Sequence, residues 1–168
     1  MKLLGSCHCG RVKFSVLSYA PYPFMRCYCA ICRKTAGSGG FGVNLSGDSR
    51  TLKVTGKKHV RVYRVYRVRR RQTERGRAKA RGLSPARRHF CGHCGSALWV
   101  YDPRWPELVH PFASAVDTPL PTPPETVHIM LDYRPRWAEA PRGRRRFATY
   151  PKESIEAWHR RHGLWQGK

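Results

Sequence analysis

Along residues 10–17 the chain reads Gly-Arg-Val-Lys-Phe-Ser-Val-Leu, with apolar side chains at Val12, Phe14 and Val16 and polar ones between them. A period of two marks a strand with one buried face, because successive side chains leave a strand on opposite sides. Pro21 and Pro23 then end it, and a first hairpin is expected to begin directly after the cysteines at 7 and 9. Residues 60–68 keep β-branched and aromatic side chains between arginines, which predicts one strand with a basic side. Residues 96–101 and 127–131 are short apolar runs of strand character, and 112–116 is a further strand candidate. The glycine-rich stretch 37–42 is expected to be a loop feeding Val43 to Leu45, since no Lys-Ser/Thr pair and no βαβ unit completes a phosphate cradle. Four prolines between 119 and 124 predict a stiff, exposed connector. Only near the end does the period lengthen. Ile155 and Trp158, three apart between Ser154 and His162 with Gly163 behind them, predict a short amphipathic helix.

These patterns add up to a mainly β chain closed by a short helix over about 154–162, without internal repeats. At 168 residues, a single domain spanning 1–168 is expected. A hydrophobic fraction of 40% excludes wholesale disorder. No apolar run approaches the roughly 20 residues needed to span a bilayer. Met1-Lys2-Leu3-Leu4 breaks at Gly5 before a signal-peptide core forms, so a soluble, cytoplasmic protein is expected. Leu4-Gly5-Ser6-Cys7 has the outline of a lipoprotein cleavage box, but no hydrophobic segment precedes it.

Charge changes this picture in one region. The chain carries 33 Lys plus Arg against 10 Asp plus Glu, a net +23, and 16 of the basic residues but one acid, Glu74, lie in residues 50–88. Within it, residues 69–88 have almost no apolar side chains and contain Gly76, Gly82 and Pro85, which predicts a mobile arginine-rich insertion. Such a segment can act as an electrostatic arm for nucleic acid or another polyanion, or be nothing more than a solvated insertion. The few acids show neither a Ser/His/Asp order nor a paired-carboxylate signature, so hydrolase chemistry of those kinds has no support.

Seven cysteines, at 7, 9, 27, 29, 32, 91 and 94, form the clusters Cys-x-Cys, Cys-x-Cys-x-x-Cys and Cys-x-x-Cys. An odd number cannot all pair, and without an export signal the thiols stay reduced, so metal thiolates fit better than disulfides. Soft sulfur ligands at these spacings select Zn2+. Spacing alone does not decide which clusters share a metal. Two clusters of two make four ligands, however, and the middle cluster supplies three. Cys7, Cys9, Cys91 and Cys94 are therefore expected to form a closed, structural tetrahedron, and Cys27, Cys29 and Cys32 an open site where chemistry has room. The closed set would clip the N-terminal strand to the far end of the domain.

Three segments carry a resemblance: Gly5-Ser6-Cys7-His8-Cys9-Gly10, Cys27-Tyr28-Cys29-Ala30-Ile31-Cys32-Arg33-Lys34 and Phe90-Cys91-Gly92-His93-Cys94-Gly95-Ser96. In cluster order and spacing the chain resembles the glutathione-dependent formaldehyde-activating enzyme family, whose domain is shared with centromere protein V. The resemblance covers roughly residues 5–140. It implies an Mss4-like β-tent zinc fold and the same division of seven cysteines into a closed and an open zinc site. Where the best-known members often have His at the second position of the middle cluster, this chain has Tyr28.

Three thiolates make zinc a weak Lewis acid suited to a thiol as its fourth ligand. This matches the activity for which the family is named. The expected function is a carbon–sulfur lyase-type reaction in which Cys27, Cys29 and Cys32 are the catalytic set. It joins a small thiol such as glutathione to an aldehyde, or releases it, as in S-(hydroxymethyl)glutathione synthesis. The alternative is a noncatalytic zinc module that binds nucleic acid or another polyanion through its arginines. Arg33 and Lys34 are the cations nearest the open site in sequence and either meet substrate carboxylates or are plain surface charges. Tyr28 either donates a hydrogen bond or packs, and Trp99 and Phe41 either wall a site or fill a core. His8 and His93 are surplus to clusters that already offer four sulfurs, and His128 is expected to be a satisfied core histidine.

Overall fold

The computed structural model describes residues 1–67, 82–141 and 145–167. The chain opens with β1 (Lys2–Ser6), β2 (Lys13–Leu17), β3 (Met25–Cys27), α1 (Ala30–Ala36), β4 (Gly42–Val43), β5 (Gly47–Asp48) and β6 (Lys53–Thr55). It continues with β7 (Val60–Tyr63), β8 (Tyr66–Arg67), β9 (Gly82–Leu83), β10 (Arg87–Cys91), β11 (Ala97–Tyr101), β12 (Leu108–Pro111), β13 (Val127–Ile129) and α2 (Ile155–Arg161). The strands assemble as β1-β2-β6, β5-β12-β11-β10-β7, β13-β3-β4 and the pair β8-β9. The fold is mostly β, as the alternation and the cysteine clusters of a zinc tent lead one to expect. Among the described residues no helix is long and apolar enough to cross a membrane.

The first two sheets enclose the larger core. β1 and β2 pair in register Leu3↔Val16 and Gly5↔Phe14, so Leu3, Phe14 and Val16 join Leu98, Trp99 and Val109 of the second sheet and Phe112 just past its end. Gly5 is required there: a Cβ would run into the Phe14 ring and the Ala115 carbonyl. The hairpin does not begin after the first cysteine cluster, as its apolar pattern suggested. The cluster is its turn, closed by Cys7 N–H to the Val12 carbonyl at 3.0 Å and Gly10 N–H to the Cys7 carbonyl at 2.9 Å. β1 escapes the pattern because glycine occupies one of its inward positions and so sends no apolar signal.

Three further expectations are corrected. Residues 60–68 are not one strand. β7 pairs with β10, then the chain turns away so that β8 pairs with β9, because Ser84 binds both sides of the break. Its N–H donates to the Val65 carbonyl at 2.7 Å and its carbonyl accepts from Arg64 Nε at 2.9 Å. Residues 112–116 are not a strand either. The strand is β12, just before them, and Phe112 turns into the core ahead of a 3-10 turn at Ala113–Ala115. Of the arginine-rich insertion expected at 69–88, residues 69–81 lie outside the described residues, while 82–83 and 87–88 belong to β9 and β10 rather than to a loop.

A second, smaller core lies under β13-β3-β4. Phe24, Cys27, Cys32, Val127, Ile129 and Trp158 form it, so the middle cysteine cluster is built into apolar packing. Its floor comes from the expected C-terminal helix. In α2 the Ser154 hydroxyl accepts from Ala157 N–H at 3.0 Å, Gly163 follows with φ 67°, and Trp158 is fully buried. The Trp158 ring stacks on Phe24 at 3.8 Å and 7°. Glu125, ahead of β13, accepts from Trp158 Nε1 at 2.8 Å and from Arg161 and His162 at 3.0 Å each, which docks α2 on this core.

Candidate metal centres and the cavity beside them

Two tight turns bring the outer cysteines together. Cys7 and Cys9 ride on the β1–β2 turn. Cys91 ends β10, and Cys94 lies in the turn to β11, which closes through Gly95 N–H to the Cys91 carbonyl at 2.9 Å with Gly95 at φ 75°. The four sulfurs lie within 4.8 Å of one another, with Cys7 to Cys9 at 3.5 Å and Cys9 to Cys91 at 3.8 Å. A tetrahedron of sulfurs about a zinc at about 2.3 Å has edges of about 3.8 Å, so this set fits such an ion. The thiols are unequally ready to ionise. Burial pushes Cys7 up, but Val12 N–H and the neighbouring thiols outweigh it and hold the group below its ordinary value. The Ser96 hydroxyl and N–H bring Cys94 down to about 5.

The middle cluster is assembled where β3 meets α1. Cys27 is the last residue of β3, held beside Ile129 by the parallel pairing with β13, and Tyr28 N–H donates to the Ile129 carbonyl at 3.1 Å. Cys29 is the N-cap of α1, its sulfur accepting from Cys32 N–H at 3.3 Å. The helix was not expected, because Ala-Ile-Cys-Arg-Lys-Thr-Ala shows no apolar period and buries only Cys32. It places Cys32 back over Cys29, so the three sulfurs lie within 4.8 Å of one another. Among the described residues no His, Asp, Glu or further Cys joins them.

Ionisation in this trio is shared out. The Cys27 and Cys32 thiols donate to Cys29 and, with two backbone N–H groups of α1, pull it down to about 2 against its burial. Cys32 is pushed up to about 11, since hydrogen bonding with Cys29 and burial outweigh the lowering by Cys27. Cys27 is driven upward too, by hydrogen bonds with both neighbours and by burial. One thiolate is cheap here and two more need a cation. A sulfur-only set of three, two of them buried, fits a soft divalent ion with one position left for another ligand.

On the other side of Arg88 from the trio is a cavity of about 300 Å3, lined by Thr35 of α1, Tyr63 of β7, Arg88, His89 and Phe90 of β10, and Phe112. Arg88 joins cavity to cluster, with Nη2 3.9 Å from the Cys32 sulfur. Tyr150, though largely exposed, stands close enough to the same sulfurs that local desolvation and then Cys27, Cys29 and Cys32 push its phenol above its ordinary value.

Comparison with known proteins gives this arrangement a family. The family model for the glutathione-dependent formaldehyde-activating enzyme matches residues 2–132, which include both cysteine sets. The chain belongs to that family. A Halomonas elongata protein provisionally named glutathione-dependent formaldehyde-activating enzyme is 56% identical over 170 residues, covering 99% of this chain and all of that one. The crystal structure of a Rhodobacter sphaeroides protein matches with a TM-score of 0.50 at 23% identity, over 72% of this chain and 92% of that one, a likeness of fold.

Within this member of the formaldehyde-activating family, the residues singled out by sequence separate clearly. Tyr28 is fully buried; its hydroxyl donates to the Glu139 carbonyl at 2.9 Å and bonds His128 Nδ1 at 2.9 Å. His128 is thus a satisfied core histidine, held below its ordinary value first by burial and then by Arg26 and Arg146. Trp99 packs in the larger core, and Phe41 lies against Tyr28 with the Arg26 guanidinium over its ring. His8 and His93 are exposed. Lys34 is exposed, and Arg33 keeps a buried Nε without a partner. Arg88 and Tyr150 were missed. Nothing distinguishes Arg88 from the arginines around it until β10 pairs with β11 and sets it beside Cys32.

Proposed function

We propose that this chain catalyses the reversible addition of the glutathione thiol to formaldehyde, a carbon–sulfur lyase reaction read in the synthetic direction, at Cys27, Cys29 and Cys32. The supporting observation is the three-sulfur group itself, gathered within 4.8 Å and linked through Arg88 to a cavity. In the net reaction the sulfur–carbon bond forms, the carbonyl π pair moves onto oxygen, and the thiol proton ends on that oxygen, giving S-(hydroxymethyl)glutathione. Zinc, when bound by the three thiolates, supplies a Lewis-acid position that favours the thiolate form of a fourth sulfur ligand. Cys27, Cys29 and Cys32 hold that position. Phe24, Val127, Ile129 and Trp158 pack behind Cys27 and Cys32 and keep water from their buried sides. Arg88 places a positive charge beside Cys32, offsetting the negative charge that three thiolates concentrate there. Cys7, Cys9, Cys91 and Cys94 hold a second, closed zinc that clips the β1–β2 turn to the β10–β11 turn and has no chemical step.

The test is direct observation of S-(hydroxymethyl)glutathione exchange by NMR in a mixture of glutathione and formaldehyde. The whole protein accelerates the exchange, and Cys29→Ser, which keeps the Cys7, Cys9, Cys91 and Cys94 set, does not. Exchange no faster than in buffer, or equal in Cys29→Ser, refutes the proposal. The polyanion-binding alternative rests on net charge and on residues 69–81, and no feature of the described residues singles out its ligand.

A further inference from the structure

Arg88 is a half-buried cation that lacks an acid. Its Nη1 is buried with no hydrogen-bond partner, and no carboxylate pairs with it among the described residues. The other terminal nitrogen has only a long contact, 3.9 Å to the Cys32 sulfur. Arg50, Arg104, Arg145, Arg160 and Arg161 each reach an Asp or Glu, and most other arginines stand without one; what sets Arg88 apart, with Arg33, is a buried nitrogen that has no partner among the described residues. Leaving a buried cationic donor unpaired costs free energy that exposure would avoid, unless something else completes it. The contact with Cys32 does not complete it, because the second nitrogen stays without an acceptor.

The cavity of about 300 Å3 that Arg88 lines is where an acceptor can come from. Its volume is at the lower end of small-ligand sites, roughly 300 to 1,000 Å3. Phe90, Phe112 and Tyr63 make its wall largely apolar, and the His89 ring stacks on Trp99 of the larger core, with burial holding it below its ordinary value, so it brings no competing charge. A largely apolar cavity lined by one forked cation, whose other nitrogen touches Cys32, matches a small thiol that carries a carboxylate. The planar guanidinium pairs with carboxylate more strongly than with a neutral acceptor.

We propose that this cavity binds the carboxylate-bearing part of the thiol substrate and that Arg88, which lines it as Arg33 and Lys34 do not, is its anchor. The inference rests on the proposed function for the identity of the thiol. It differs from it in being a statement about binding. Arg88 fixes the glycine carboxylate, because no acid lines the cavity to meet the ammonium beside the γ-glutamyl one, while the sulfur faces Cys27, Cys29 and Cys32.

The experiment measures binding by calorimetry with S-methylglutathione, which cannot react at sulfur, and with its derivative amidated at the glycine carboxylate. Loss of a charge-assisted pair weakens binding by about tenfold to a hundredfold. Arg88→Met is expected to lose that much affinity for S-methylglutathione, and Arg88→Lys to recover part of it. The amidated ligand should bind the unchanged protein as weakly as Arg88→Met binds S-methylglutathione, and Arg88→Met should bind both ligands alike. Equal affinity of the unchanged protein and Arg88→Met overturns the inference, as does equal affinity of the unchanged protein for both ligands. The ligand comparison needs no substitution and so stands even if Arg88→Met fails to fold. Absence of formaldehyde turnover with Arg88-dependent binding would sink the proposed function alone. Turnover with Arg88-independent binding would sink this inference alone.

Discussion

Replacing Trp158 tests whether the C-terminal helix is part of the thiolate site or a separate appendage. The side chain is fully buried, stacked on Phe24 at 3.8 Å and hydrogen-bonded to Glu125 at 2.8 Å, in one cluster with Cys27 and Cys32. A buried aromatic of this kind removes about 150 to 250 Å2 from water, which at about 25 cal/mol per Å2 corresponds to about 4 to 6 kcal/mol. Measured truncations of core Trp and Phe to Ala cost about 3 to 5 kcal/mol, so about 4 kcal/mol is expected for Trp158→Ala. Urea unfolding with a slope of about 2 kcal/mol per M then shows a midpoint lower by about 2 M. Trp158→Phe keeps the stack and loses the hydrogen bond, a cost of about 1 to 2 kcal/mol. Because Cys7 and Cys91 belong to the other core, thiol labelling of metal-free Trp158→Ala should accelerate at Cys27 and Cys32 while Cys7 and Cys91 keep their protection. A Trp158→Ala protein within about 1 kcal/mol of the unchanged one, or labelling that rises equally at all four cysteines, refutes the reasoning.

Elemental analysis should find two zincs per chain, falling to one in the still-folded triple variant Cys27→Ser, Cys29→Ser, Cys32→Ser. A count unchanged by that variant would contradict the middle site. Acid stability should depend on Glu125: burial raises its carboxyl, but hydrogen bonds from Arg161, His162 and Trp158 outweigh it and hold the group down to about 2, against 4.5 ordinarily. A depressed folded value contributes stability that is present above the unfolded value and lost as pH falls through the folded one. In urea titrations Glu125→Gln should therefore be the less stable protein at pH 6, with the gap closing between about 4.5 and about 2. A gap independent of pH over that window counts against the Glu125 clamp.

Local rules made part of this protein legible before any folding. Alternation at Val12, Phe14 and Val16 places β2, the apolar run after Cys94 places β11, and Ser154 with Ile155, Trp158 and Gly163 places α2, because each signal lies within one element. The grouping of seven cysteines into four and three was legible for a similar reason. Ligand count and short spacing restrict how sulfurs can surround one ion, and the chain brings together the two groups that this arithmetic favours.

Other features depend on contacts between distant residues. The break of 60–68 into β7 and β8 is made by Ser84, and α1 exists because Cys29 caps it beneath β13, so neither shows in local periodicity. Whether Tyr28 meets substrate or packs is decided by Glu139 and His128, a hundred or more positions away, through two hydrogen bonds. Arg88 is the clearest case. In sequence it is one arginine among sixteen basic residues between 50 and 88. Strand register sets it 3.9 Å from Cys32 with a buried nitrogen left over. Composition and spacing determine which chemistry the chain can carry. The tertiary structure alone decides which cation stands beside it, because burial and pairing are properties of neighbours in space rather than along the chain.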